Sequence, residues 1–214
     1  MSRGHDVAVQ QERIGHEHLA AVSKALDAFV GELPMLERWG RRLAVILLAG
    51  GRVLVAGNGG SAAQAQHLTS ELVGRYRDER VPLSAIALHA ETSTVSALLN
   101  DYGAAEVFAR QVRAHGRRGD VLLAMSTSGS SPNVLAAVGA ARGVGMATWA
   151  LTGSSTSALA RGCDESVGVH AASTATIQEV HQVALHIVCE ALDREISLLQ
   201  SLEASFTFDD ALSQ

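Results

Sequence analysis

The chain has 214 residues, of which 47% are hydrophobic. This length is enough for one well-buried core but too short for two full domains. A net charge of -5 and an aromatic content of 4% argue against a basic, base-stacking surface for nucleic acid. The longest apolar run, Leu43–Ala49, is too short to span a bilayer, and the polar residues 1–11 lack the apolar stretch of a secretion signal. We therefore expect a cytoplasmic protein without nucleic-acid or membrane partners.

Hydrophobic periodicity divides the chain into helices and short strands. Apolar residues at helical spacing predict two N-terminal helices, Val7–Phe29 and Leu33–Gly50. Strands are predicted at Arg52–Ala56, Leu83–His89, Asp120–Met125, Thr148–Leu151 and Ser166–His170. The remaining helices are predicted at Ser61–Gly74, Thr92–Leu99, Ala105–His115, Pro132–Arg142, Ser157–Arg161 and Ala175–Leu199.

The alternation of strands and helices indicates an α/β fold, in which helices cover both faces of a five-stranded parallel sheet. We divide the chain into N-terminal helices at 1–50, which belong to the domain and its oligomer, a sheet-bearing domain at 51–200, and a flexible tail at 201–214. Ligands of such sheets bind at the carboxyl ends of the strands. This rule selects the turns after the first and third strands.

Both of these turns have features that suit a phosphate. Gly57–Ser61 is glycine-rich and opens a helix, so backbone N–H groups and the helix N-terminus can face an anion. Ser126–Ser131 gathers five hydroxyls, and Ser131 can cap the next helix with Pro132 at its first position. The alternatives are a tight glycine turn without a ligand and a polar loop that only caps its helix. Taken together, the two turns favour phosphate binding.

Ionisable side chains cluster on two of the predicted helices. His67 and Glu71 are four residues apart on one helix face, a spacing that suits a shared metal ion or a base with its partner. Gln178 and His186 lie about 12 Å apart along the last helix, with His181 one turn from both. Spacing alone leaves open that the first pair is an ordinary surface pair and that the second consists of half-buried polar residues.

Other candidate residues carry weaker signals. Asn100 and Asp101 end a predicted helix, where they either form a turn or face the ligand cleft. Arg75 can pair with an anion or with Glu71. The two cysteines, Cys163 and Cys189, form no disulfide or metal pattern, so we expect small buried thiols.

Seven segments carry a resemblance to a known family. They are AGNGGSAAQAQHLTSELVGRY (56–76), PLSAIAL (82–88), NDYG (100–103), VFARQV (107–112), GDVLLAMSTSGSSPNV (119–134), LTG (151–153) and IQEVHQVALHI (177–187). In this order they resemble the sugar isomerase (SIS) family and, within it, the phosphoheptose isomerases. The likeness spans about residues 50 to 198, and its specificity comes from several long motifs rather than from GNGGS alone.

The resemblance implies a flavodoxin-like parallel sheet and a homotetramer with active sites between subunits. It also implies one zinc ion per active site, held by His67, Glu71, Gln178 and His186. The implied contacts to a small-molecule sugar phosphate are Asn58, Gly59, Gly60, Glu71, Asn100, Asp101, Ser126, Thr127, Ser128, Ser131 and Gln178. Ser61 in the first turn and Arg75 complete our set of candidate substrate-binding residues.

The implied reaction is an aldose–ketose isomerisation of sedoheptulose 7-phosphate through an enediol. We expect Glu71 to act as the base and His186 as its acid-base partner, with His181 as the substitute for His186. Two positions depart from the family pattern: Gln64 stands where members often have Asp, and Thr176 where many have Arg. The alternatives are a non-catalytic SIS protein that binds a replication-initiator-type partner and a sugar-phosphate sensor.

Overall fold

The computed structural model describes the backbone of residues 2–212 and the side chains of residues 13–202. The helices are α1 (Ser2–Phe29), α2 (Leu33–Leu48), α3 (Gly60–Val73), α4 (Thr92–Tyr102), α5 (Glu106–His115), α6 (Pro132–Val144), α7 (Ala158–Gly162) and α8 (Thr174–Leu212). A single 3-10 turn, Val30–Glu32, joins α1 to α2. The strands are β1 (Val53–Ala56), β2 (Ala85–Ala87), β3 (Val121–Ser126), β4 (Ala147–Thr152) and β5 (Glu165–Gly168).

The five strands form one parallel sheet in the order β2-β1-β3-β4-β5, which confirms the predicted fold. The chain leaves β1 toward β2 and then crosses to β3 on the other side of β1. The strand order therefore reverses between β1 and β3, whose pairing includes Leu54 with Leu122. Ligand crevices of open parallel sheets lie at such a reversal. The glycine-rich turn follows β1 and the serine-rich turn follows β3, the two strands that flank this reversal.

Alternate strand residues point into two separate hydrophobic layers. Val55, Leu123 and Leu151 face a layer built with α1, α2, α3 and α8. Leu54 and Leu122 face the other layer, built with α5, α6 and α7. Helices α3 and α8 thus lie on the same face of the sheet, and both start at its carboxyl edge, so they run alongside one another.

Helix α2 packs closely on the middle of α8. A Cβ added at Gly40 would lie 2.5 Å from Ala191 Cβ and 2.6 Å from the Val188 carbonyl oxygen. No larger side chain fits between the two helices at this point. Gly40 therefore fixes how near α2 comes to α8, the helix that carries Gln178 and His186.

Helix boundaries differ from the prediction at both ends of the chain. Helix α8 runs to Leu212, so the predicted end at Leu199 is wrong: no glycine or proline follows to stop the helix. Helix α1 begins at Ser2 instead of Val7. The division at residues 50 and 200 and the flexible tail stay predictions, and residues 1, 213 and 214 lie outside the described residues. None of the helices described is long and apolar enough to cross a membrane.

Candidate active site

The first predicted phosphate turn joins β1 to α3. Gly59 adopts a φ of +54°, in the left-handed region that favours glycine, and the helix begins at Gly60. The N–H groups of Ser61 and Ala62 donate to the Asn58 carbonyl oxygen at 3.0 and 3.3 Å. The turn is therefore wound tightly at a helix N-terminus, where the helix dipole favours an anion.

The second turn gathers hydroxyl groups at the end of β3. Ser126 Oγ lies 3.1 Å from Ser131 Oγ and 3.4 Å from Ser128 Oγ, and it accepts a hydrogen bond from the Gly129 N–H. The prediction that the Ser131 side chain caps α6 is wrong. Ser131 stands at the N-cap position, but its hydroxyl turns toward Ser126 instead of the helix backbone. Three hydroxyls therefore converge on one small region, which suits a phosphate.

An amide pair joins the two turns, and the sequence reasoning missed one of its members. Asn58 and Asn133 exchange two side-chain hydrogen bonds of 2.9 Å each. The position of Asn133, directly after the serine-rich turn and Pro132, was the signal that could have identified it. The pair holds the start of α3 beside the start of α6, so both helix N-termini face the same crevice.

The predicted catalytic residues meet between α3 and α8. His67 Nε2 lies 2.9 Å from His186 Nε2 and 3.4 Å from Glu71 Oε1. Gln182 Nε2 lies 3.1 Å from the same His186 nitrogen, and the Tyr76 ring stands 5.6 Å from the His186 ring. The Glu71 side chain is 19% exposed and that of His67 40%. Two imidazoles and a carboxylate therefore share one partly exposed surface.

These groups come together within one chain. The resemblance implies active sites between subunits, but His67, Glu71 and His186 already meet within a single chain. Because α3 and α8 lie side by side on one face of the sheet, their side chains meet without a second subunit. An active site between subunits stays a prediction.

The surroundings of His186 favour its neutral form. Burial lowers the pKa of His186, the nearby His67 lowers it further, and Glu71 raises it. One helical turn away, burial raises the pKa of the Cys189 thiol to about 12, with Glu71 and Asp193 adding to the effect. A neutral imidazole can donate or accept a proton or bind a metal ion.

His181 cannot take over the role of His186. It is fully buried, its Nε2 lies 3.3 Å from the Thr152 carbonyl oxygen, and burial lowers its pKa to about 4. Its ring thus faces the end of β4 instead of the surface that carries His67 and Glu71. The predicted substitution of His181 for His186 is therefore wrong.

Gln178 belongs to the phosphate turn in this structure. A Cβ added at Gly60 would lie 2.4–2.6 Å from its side-chain amide, so the amide rests against the Gly60 backbone. Gln64, which is 7% exposed, donates from Nε2 to the Gln178 carbonyl oxygen at 2.5 Å. Gln64 thus joins α3 to α8 as a buried hydrogen-bond donor, a role that a carboxylate cannot fill.

Four further residues that the sequence singles out make other contacts. Arg75 follows α3 at the end opposite the phosphate turn and donates to the Arg77 carbonyl oxygen, not to Glu71. Asn100 and Asp101 lie inside the last turn of α4, where they hydrogen-bond to each other at 2.8 Å. Thr176 is fully buried, and its hydroxyl has no hydrogen-bond partner in the structure. Roles for Arg75, Asn100 and Asp101 in substrate binding stay predictions.

The donors at this surface fit zinc by chemical type, since zinc takes imidazole nitrogen and carboxylate oxygen. The 3.4 Å between His67 Nε2 and Glu71 Oε1 matches the roughly 3.3 Å between two ligands of a tetrahedral zinc. The 2.9 Å between the two Nε2 atoms is shorter and is a hydrogen bond. Among the side chains at 13–202, no group of three or more His, Cys, Asp or Glu is arranged to hold a metal ion.

Comparison with known proteins gives consistent matches. Residues 17–153 match the SIS domain family. The chain is 61% identical to the phosphoheptose isomerase of Streptomyces coelicolor over 176 aligned residues. The alignment covers 82% of this chain and 76% of that protein. It is 48% identical to the phosphoheptose isomerase of Thiobacillus denitrificans over 193 residues, which are 89% of this chain and 96% of that protein.

Comparison with solved structures points to the same family. The phosphoheptose isomerase of Francisella tularensis superposes with a TM-score of 0.78 at 35% identity, covering 88% of this chain and 98% of that one. The family resemblance predicted from the motifs is thus confirmed. The chain belongs to the SIS family and, within it, to the phosphoheptose isomerases.

Proposed function

We propose that the chain converts sedoheptulose 7-phosphate to D-glycero-D-manno-heptose 7-phosphate, with Glu71 as the base and His186 as its acid-base partner. The chain is an intramolecular isomerase of the family that carries this activity. The phosphate is held at the two turns that follow β1 and β3. The reacting carbons lie beside His67, Glu71 and His186.

The spacing between the first phosphate turn and this surface supports a seven-carbon substrate. His67 is seven residues beyond Gly60, which is about 10 Å along α3. Eight bonds separate the phosphorus from C1 in a heptose 7-phosphate, and an extended chain advances about 1.2 Å per bond, or roughly 10 Å in all. A phosphate at the turn therefore places C1 and C2 beside the two histidines and Glu71.

The reaction moves one proton between neighbouring carbons. The Glu71 carboxylate removes a proton from C1 of the ketose while His186 gives a proton to the C2 carbonyl oxygen, which leaves an enediol with a C1–C2 double bond. Glu71 then returns its proton to C2, and the O1 proton goes back to the imidazole as the C1 carbonyl forms. The same division of labour between a Glu and a His serves triosephosphate isomerase.

We also propose that each active site holds one zinc ion through His67, Glu71, Gln178 and His186. The ligand types of His67, Glu71 and His186 support this, and burial favours the neutral His186 that a metal ligand requires. The Gln178 amide rests against Gly60, about 10 Å along α3 from His67, so the contacts within this chain support the first three ligands only. When bound, the ion would polarise the substrate carbonyl and stabilise negative charge on the enediol oxygens.

The proposed assembly is a cytoplasmic homotetramer with active sites between subunits. A groove of about 470 Å³ adjoins His186, and Val183, Ile187 and Leu198 are among the α8 residues that line it. Val183 and Leu198 are 38% and 52% exposed. Apolar groups exposed beside the acid-base residues support coverage by a second subunit.

The decisive experiment is an NMR or coupled assay with sedoheptulose 7-phosphate, run with and without a chelator. Turnover that the chelator abolishes and added zinc restores supports both the activity and the metal. If turnover is unchanged in the presence of the chelator, the zinc part of the proposal is wrong. Absence of turnover in both conditions would favour the alternative readings, a partner-binding SIS protein or a sugar-phosphate sensor.

A further inference from the structure

An almost buried arginine joins the two helices that carry the acid-base residues. Arg80 lies between α3 and β2, and its side chain is 5% exposed. Its Nη2 donates to the Glu71 carbonyl oxygen at 2.6 Å, and its Nη1 donates to those of Leu72 and Val81 at 2.9 and 3.0 Å. Its Nε donates to Asp193 Oδ1 at 2.8 Å. One guanidinium therefore holds four acceptors at once.

Two of these acceptors belong to the last turn of α3, which ends at Val73. The final carbonyl groups of a helix have no partner within the helix, and a positive charge near them is favourable. Arg80 supplies both the donors and the charge. Because it bonds the carbonyl of Glu71 itself, it fixes the backbone that carries the proposed base.

The fourth acceptor lies on the opposing helix. Asp193 is on α8, seven residues or two turns beyond His186, so the two side chains leave almost the same face of the helix. The Asp193 side chain is 14% exposed, so this ion pair is only weakly screened by solvent. Arg80 thereby connects the turn that bears Glu71 to the helix that bears His186.

We infer that Arg80 is a positioning residue of the isomerisation, which sets the Glu71 carboxylate against His186 by holding the Glu71 carbonyl and Asp193 together. This inference rests on the proposed function. A guanidinium is a rigid planar fork, whereas a lysine ammonium is a point charge on a flexible stem. Lysine at position 80 can keep the ion pair with Asp193 but cannot hold the carbonyl groups of α3 at the same time.

The test is steady-state kinetics of Arg80→Lys with sedoheptulose 7-phosphate. A displacement of about 1 Å in a catalytic group can cost about 10²-fold in rate. We therefore expect kcat to fall about tenfold or more while KM stays within about twofold. Arg77→Lys is the matched control, because Arg77 lies in the same connection and pairs with Glu190 of α8 at 2.7 Å, but is 66% exposed. Its kcat should equal that of the wild type.

Two more variants separate positioning from stability. Asp193→Asn keeps an oxygen that accepts from Arg80 Nε but removes the negative charge. It should therefore lower kcat, but less than Arg80→Lys does. If Arg80→Lys does not fold, Asp193→Asn serves as the test. Asp120→Asn weakens the ion pair between the buried Asp120 carboxylate, just before β3, and the partly exposed Arg52, and should lower Tm without lowering kcat.

The inference is overturned if Arg80→Lys, or Asp193→Asn in its place, turns over like the wild type. It is also overturned if Asp120→Asn loses kcat to the same extent, because Arg80 would then act only through general stability. A wild-type chain without turnover contradicts the proposed function instead, so the two failures are distinct.

Discussion

The Nε2 atoms of His67 and His186 lie 2.9 Å apart, although the two residues are 119 positions apart in the chain. Glu71 Oε1 lies 3.4 Å from the same His67 nitrogen. Helices α3 and α8 both begin at the carboxyl edge of the sheet and descend along one face, which brings these residues together. Two imidazoles and a carboxylate within hydrogen-bond reach can move a proton between neighbouring carbons.

Replacing Glu71 with Gln should reduce kcat by at least about 10²-fold, because an amide cannot accept the C1 proton. The amide is nearly isosteric, so the fold should be retained. The measurement is turnover of sedoheptulose 7-phosphate at saturation. Glu106→Gln, at an exposed glutamate that pairs with Arg113 on α5, is the control and should leave kcat unchanged. Near-normal turnover by Glu71→Gln would remove Glu71 from the role of base.

His186→Ala should abolish turnover without changing the oligomeric state, since the side chain hydrogen-bonds to Gln182 and His67 of its own chain. Size-exclusion chromatography and the isomerase assay together measure this. His181 cannot restore activity, because it is fully buried against β4. Retained activity in His186→Ala would mean that the acid-base partner is neither histidine of α8.

The sequence predicted the sheet and both phosphate turns because those features are local. Buried strands such as Val53–Ala56 stand out as apolar runs, and glycine or serine clusters mark the turns that follow them. The end of α8 was missed because residues beyond Leu199 lose their apolar period without any glycine or proline to stop the helix.

The site itself depends on contacts between distant segments, which spacing alone does not reveal. The His67–His186 contact, the Asn58–Asn133 pair and the four bonds of Arg80 each join segments that pack together only in the folded chain. Helical spacing placed His181 beside His186 but could not show that one side of α8 faces the core. Local motifs thus predict which residues matter more readily than which of them meet.

Gln64→Glu should destabilise the chain by about 1–3 kcal/mol, because it replaces the donor to the Gln178 carbonyl with an acceptor in a buried site. Urea unfolding monitored by circular dichroism measures the change. Gln66→Glu, at an exposed position of the same helix, is the matched control and should be nearly neutral. Equal stability of the two variants would show that the Gln64–Gln178 contact contributes nothing.

Ser131→Ala should raise KM for the sugar phosphate by about tenfold or more, since a hydrogen bond to a charged group contributes about 1.5–3 kcal/mol. Its hydroxyl lies beside Ser126 Oγ and points away from the α6 backbone, so helix α6 should keep its stability. Ser154→Ala, in the exposed loop after β4, should leave KM unchanged. A raised KM in both variants, or in neither, would contradict phosphate binding by the second turn.

The buried His181 should make the protein less stable in mild acid. Its pKa is about 4 in the folded chain and about 6.5 in the unfolded chain, because burial disfavours the charged ring. The unfolded state therefore binds more protons between these two values, and stability falls as pH is lowered from 6.5 to 4. The full contribution, on the order of 3 kcal/mol, is present above pH 6.5 and is lost below pH 4.

His181→Asn separates this contribution from that of other titrating groups. Asparagine keeps a donor for the Thr152 carbonyl oxygen but does not titrate. A destabilisation of the variant that is the same at every pH does not affect the test, because only the change in unfolding free energy with pH is compared. Denaturant unfolding at pH 7 and pH 4.5 should show a smaller loss in the variant than in the wild type. If both lose the same free energy over this range, His181 titrates alike in the folded and unfolded chains, and its burial does not control acid stability.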